Sequence, residues 1–251
     1  MAIAQSSGEV FVADGGSVQR FAPTNRSAPS AGYVLGSPLA GSFLFAYSMA
    51  VDNSCYLHNP ALTEPACKAF DPSNGDVYVV EDGAVVVKFD AAGSPVEVNP
   101  PSNTTNQFGA GATPEALTEA GGVAVDPANG NVYVADERSG VVDIFTPAGE
   151  FVSQFAPAAK PKGLAFNSTG SDLYVANTGG RVEELEASGA PVEQTAGPNK
   201  GTNIVDNTGA ATALAVDTSN NDVYVDDETS VAVYEASGEP IGSLGFPTGT
   251  Y

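Results

Sequence analysis

The chain repeats itself. Its clearest unit starts at Gly121-Gly122-Val123-Ala124-Val125-Asp126-Pro127-Ala128-Asn129-Gly130-Asn131-Val132-Tyr133-Val134-Ala135-Asp136 and continues to Phe155. It holds four short runs rich in Val, Phe and Tyr, divided by Asp, Asn, Gly, Pro and Ser, the pattern of a four-stranded antiparallel meander. Five copies align on an aromatic in the second run: Phe11, Tyr78, Tyr133, Tyr174 and Tyr224. Three residues later stands an acid or amide: Asp14, Glu81, Asp136, Asn177 and Asp227. Ten to twelve residues after the aromatic comes a large apolar residue: Phe21, Phe89, Phe145, Leu185 and Tyr234. A short apolar first strand precedes each aromatic: Ala2–Ala4, Met49–Val51, Val123–Val125, Leu164–Phe166 and Leu214–Val216. Periodic copies of about forty residues, none able to bury its apolar faces alone, predict stacked units around an axis.

The pattern Ala-Val-Asp-x-x-x-Gly-x-Val-Tyr-Val-Ala-Asp resembles the NHL-repeat β-propellers, especially the bacterial secreted and surface-attached ones, over residues from about 2 to 246. The resemblance implies an all-β propeller of four-stranded antiparallel blades, first strands lining a central channel. Five blades are counted within one domain over 1–251, at about 1–40, 47–98, 120–158, 162–195 and 211–246. Closed NHL propellers more often have six, so a six-bladed parent is the other reading. Blade two offers two candidate first strands, Met49-Ala50-Val51 and Lys68-Ala69-Phe70; the first is preferred, with the cysteine segment inserted after it. The chain begins on a first strand and ends after a fourth. This predicts either a ring closed without strand exchange or an open array completed by further repeats or another subunit, the ring being preferred. The segments 22–47, 97–120 and 194–211 read as loops from a fourth strand to the next first strand, gathered on one face, where a rigid scaffold carries function.

A chain of 251 residues, 42% hydrophobic and 16% charged, is globular and long enough for a sizeable core. Its 9 Lys plus Arg against 30 Asp plus Glu give a formal charge of −21. No nucleic-acid partner is expected, because such binding rests on cationic side chains meeting phosphates. No apolar run approaches the roughly 20 residues of a membrane span. The start, Met1-Ala2-Ile3-Ala4-Gln5, has no basic region and no apolar stretch of a signal peptide, so export signals or further repeats are expected upstream.

Cys55 and Cys67 enclose a proline-containing segment without helix or strand pattern, read as a loop. A disulfide is the preferred reading, worth about 2–3 kcal/mol by loop-closure entropy, and it implies an oxidising compartment outside the cell or on its surface. Two separate buried thiols is the alternative.

The acids that follow the second strands, with their neighbours, are Asp14, Glu81, Asp82, Asp136, Glu137, Asp226 and Asp227. They fall on the face of the long loops, where a carboxylate ring would focus negative potential on one channel mouth and draw a cation or basic ligand. Set against that, Asp and Asn cap tight turns, and recurrence in every blade favours this structural role. Asp52, Asp71, Asp126 and Asp217, with Asn167, read as turn residues. No cofactor is expected. Calcium stays open, although it needs six to eight oxygen ligands and no Asp-x-Asp-x-Asp loop occurs. His58 is the sole histidine. The peptide-amidating lyases, which resemble this fold, need several His ligands, and the similar streptogramin lyases use a catalytic His near the channel, whereas His58 lies in the cysteine segment, expected on the opposite face; no Gly-x-Ser-x-Gly elbow occurs. The preferred expectation is therefore a secreted or surface-exposed, non-enzymatic scaffold binding protein, peptide or glycan. A metal-assisted lyase or hydrolase in the channel and a subunit self-assembling through blade edges are the alternatives.

Overall fold

A computed structural model describes the chain except for residues 26–31, 42, 60, 63, 83–84, 99–104, 111–115, 208, 210, 212, 228 and 246–251. The described residues form five four-stranded antiparallel sheets, arranged as the blades of a β-propeller. Blade one is β1 (Ala2–Ala4), β2 (Glu9–Ala13), β3 (Val18–Pro23) and β4 (Tyr33–Leu35). Blade two is β5 (Ala46–Val51), β6 (Val77–Glu81), β7 (Val85–Phe89) and β8 (Gln107–Phe108). Blade three is β9 (Ala120–Val125), β10 (Val132–Asp136), β11 (Val141–Phe145) and β12 (Phe151–Phe155). Blade four is β13 (Pro161–Phe166), β14 (Asp172–Asn177), β15 (Val182–Glu186) and β16 (Ile204–Asp206). Blade five is β17 (Ala213–Val216), β18 (Val223–Asp226), β19 (Ser230–Tyr234) and β20 (Pro240–Gly245).

Alternation along the second strand explains the stacking. In β10, Val132 and Val134 pack toward blade two, while Tyr133 and Ala135 pack toward blade four. Both faces are covered, so the strand is apolar from Val132 to Ala135. The two repeating large residues meet at the junctions. Phe11 shares a buried cluster with Phe89, Tyr78 with Phe145, Tyr133 with Leu185, and Tyr174 with Tyr234. Each such side chain contributes about 1.5–3 kcal/mol through burial. The members of this series left over are Phe21 and Tyr224, both only half-buried. Among the described residues no buried apolar cluster joins blade five to blade one; the two blades touch where Gln5 Nε2 donates to Thr218 Oγ1 at 3.1 Å.

Near the axis the first strands come very close. A Cβ placed on Gly122 would lie 2.6 Å from the Lys162 carbonyl oxygen, and one on Gly121 would lie 2.9 Å from it. Only glycine lets β9 and β13 approach in this way.

Several expectations need correction. The segments 22–47, 97–120 and 194–211 contain β4, β8 and β16, so the fourth strands of blades one, two and four lie inside stretches read as loops. In blades two and four these strands lie beyond the expected limits at 98 and 195. The cysteine segment is not a plain loop but two short helices, α1 (Ser54–His58) and α2 (Glu64–Phe70). At 5 and 7 residues they are too short to display a helical period. The preferred first strand of blade two does form, with Met49 opposite Val79, and Lys68-Ala69-Phe70 closes α2 instead. Cys55 and Cys67 are joined by a disulfide, Cα atoms 5.6 Å apart. Through Gly245 the last strand pairs within its own blade, and β1 pairs with β2, so the described termini exchange no strand.

Candidate functional site

The turns from second to third strand and the connections from fourth to next first strand share one face. Their backbones tie them together: Ala46 N–H donates to Gly15 O, Asp82 N–H to Phe45 O, Glu137 N–H to Glu119 O, and Thr178 N–H to Lys160 O. On this face the first strands of blades two, three and four slip register against their second strands, at Ala46/Ser48, Ala120/Val123 and Pro161/Gly163. Such bulges bend a strand and re-aim its side chains at a rim. Here they flare the channel into a bowl of about 600 Å³, lined by Tyr47, Asp82, Glu119, Glu137, Arg138 and Lys162 among others.

The seven acids divide. Asp82 and Glu137 line the bowl. Asp82 stands there with φ at 50°, a conformation tolerated because its N–H is fixed by Phe45 O. Asp136 is buried and works as a clamp, accepting from Thr118 N–H at 2.8 Å and Glu119 N–H at 3.0 Å, and from the Thr118 and Ser139 hydroxyls. Burial works to raise its pKa, but these bonds outweigh that and hold it below the ordinary aspartate value. Asp14 caps its turn through Ser17, and Asp227 through Thr229 and Ser230. The Ser17 and Ser230 hydrogen bonds respectively hold the two carboxyls below their ordinary value. Glu81 accepts the Leu44 N–H at 3.0 Å, and Asp226 ends β18 opposite Val231. The carboxylates therefore do not form a complete ring around the bowl.

A feature unread in the sequence stands at the rim. Leu44, Phe45 and Tyr47 are 69%, 57% and 63% exposed, and the Phe45 and Tyr47 rings lie 6.3 Å apart. The apolar run Phe43-Leu44-Phe45-Ala46-Tyr47 was its sequence signal, more hydrophobic than a connection needs to be. Arg138 leans on Glu119 at 3.2 Å, an exposed pair that a ligand can displace at little cost.

α1, which carries His58, follows the far end of β5, so it belongs to the opposite face. Among the described residues no group of three or more His, Cys, Asp and Glu could hold a metal ion. No described helix is long and apolar enough to cross a membrane. The class defined by this architecture is a five-bladed β-propeller with an open bowl at one channel mouth. No family model matches the chain, and no curated protein is similar to it in sequence.

Proposed function

We propose that the protein is an extracellular or cell-surface binding scaffold of the NHL-repeat type, taking a basic, partly apolar peptide segment of a partner protein in the bowl. The observation that carries this reading is the exposed Leu44, Phe45 and Tyr47 rim beside a bowl lined by Asp82, Glu119 and Glu137. Large exposed aromatics surrounded by polar groups are the usual anchors of recognition. A chain of formal charge −21 steers cationic partners toward itself. The Cys55–Cys67 disulfide supports an oxidising compartment.

The test is a screen of peptide and glycan arrays, followed by titration of the best ligand against the Tyr47→Ala and Glu137→Gln variants. Basic peptides should dominate the hits. Tyr47→Ala should weaken binding about tenfold or more, as truncation of an aromatic anchor does. Glu137→Gln should weaken it less and reduce its salt dependence. Hits confined to neutral glycans, or affinities indifferent to Tyr47, would overturn the reading.

A further inference from the structure

Blades three, four and five each carry one side-chain-capped turn between first and second strand, in which Asp126, Asn167 or Asp217 accepts the N–H two residues on. Blade two carries two such turns, one on each side of its inserted helices. Asp52 Oδ1 accepts Ser54 N–H at 3.0 Å, and Asp71 Oδ1 accepts Ser73 N–H at 3.1 Å. The insertion folds the second turn back onto the first, and the serines interleave. Ser54 Oγ lies 2.6 Å from Asp52 Oδ1 and 2.5 Å from Asp71 Oδ2. Ser73 Oγ lies 2.8 Å from Asp52 Oδ2 and 2.7 Å from Asp71 Oδ1. A closed ring of alternating carboxylates and hydroxyls results.

That ring is short of positive charge. A serine hydroxyl has one proton to donate. Two serines therefore fill two of the four contacts, and the others set lone pairs against lone pairs. The nearby cations Lys68 and Lys88 are both spent on Asp76, at 3.5 and 3.0 Å. Asp52 is fully buried, where two unneutralised carboxylates are costly.

A second observation points to a missing ligand. The repeat tyrosines of the next two blades satisfy their hydroxyls, Tyr133 on Ala187 O and Tyr174 on Glu184. The Tyr78 hydroxyl is fully buried and has no hydrogen-bond partner of good geometry, Ser73 being a poorly aligned polar neighbour. It sits beside Ser73, within the field of Asp52 and Asp71. A cleft of about 300 Å³, bordered by Ser54, Asn59, Asp71 and Pro127, gives access from solvent.

We propose that this ring is a calcium site, in which Asp52 and Asp71 supply charge, the Ser54, Ser73 and Tyr78 hydroxyls supply neutral oxygens, and water from the cleft completes the shell. The donors are all hard oxygens, which select Ca²⁺ or Mg²⁺ over softer metals. Their irregular disposition suits Ca²⁺, since Mg²⁺ demands an octahedron. With two carboxylates the affinity is of the order of the 10⁻⁴–10⁻³ M found in extracellular modules. The other charged groups around the ring are Asp76, Lys68 and Lys88.

The chain has no Trp, so Tb³⁺ emission excited in the tyrosine absorption band reports transfer from tyrosine. With metal-stripped protein at pH 7.5, Tb³⁺ emission should saturate and be displaced by Ca²⁺. Calcium at ten times Kd should raise Tm by about 2–6 °C. Both effects should vanish in Asp71→Asn and persist in Asp217→Asn. Absence of both effects at pH 7.5, or their survival in Asp71→Asn, would overturn the proposal. Should Asp71→Asn fail to fold, Tyr78→Phe decides, a calcium affinity equal to that of the wild type overturning it.

Discussion

Asp143 sits buried in the middle of β11, opposite Val134 and Gln154. Burial, with a smaller push from the Asp136 carboxylate, lifts its pKa to about 7. An aspartate raised in the folded state favours folding in its protonated form. Its contribution is complete below the unfolded value near 4 and is lost as pH climbs through about 7. Asp52, lifted to about 6, acts in the same direction. Stability of the metal-free protein should therefore fall between about pH 4 and 8. Asp143→Asn should remove part of that slope and be more stable than wild type at pH 8, by on the order of 1–3 kcal/mol. Urea unfolding at both pH values measures it, and an unchanged slope would show that Asp143 titrates normally. Asp143 carried no sequence signal, because β-alternation marks which face a residue takes but not which acids that face buries. The mouth acids were legible only as to face: hydrogen bonding, not spacing, separates the clamp Asp136 from Asp82 and Glu137 on the bowl.

Among the elements, inner strands were readable, and outer ones only in blades three and five. First, second and third strands pack on neighbouring blades, so their Val, Tyr and Phe alternate with a purpose. β8 has 2 residues, β4 and β16 have 3, and β4 is exposed along its whole length. Strands so short leave no alternation to find. The paired helices α1 and α2 are held less by propensity than by the link between them, since isolated helices of one or two turns are marginal. Replacing Cys55 and Cys67 by Ala together should lower stability by about 2–3 kcal/mol, a fall in Tm of roughly 4–10 °C. Calorimetry with and without reductant tests this. Equal melting of the variant and the oxidised protein would mean that β5 and β6 hold the insertion unaided. Since Ser54 and Asp71 lie beside the bridge, the same variant should also weaken Tb³⁺ binding.

For the whole molecule, the described junctions form a series: one to two, two to three, three to four, four to five. Among the described residues, blade three has a packed neighbour on each side, whereas blades one and five each have one. Arrays bound by nearest-neighbour contacts lose order from their ends. Amide exchange should therefore be slowest in β10, intermediate in β6 and β14, and fastest in β2 and β18. Equal protection of β2, β10 and β18 would show that blades one and five are glued as firmly as the rest. The half-buried pair Phe21 and Tyr224 has a further consequence, for how the molecule tolerates truncation. Excising a blade from an evenly sealed circle breaks two seams. Trimming blade five here breaks one, so the propeller should shed its last blade and leave the other four standing, as a stack of plates survives losing the one on top.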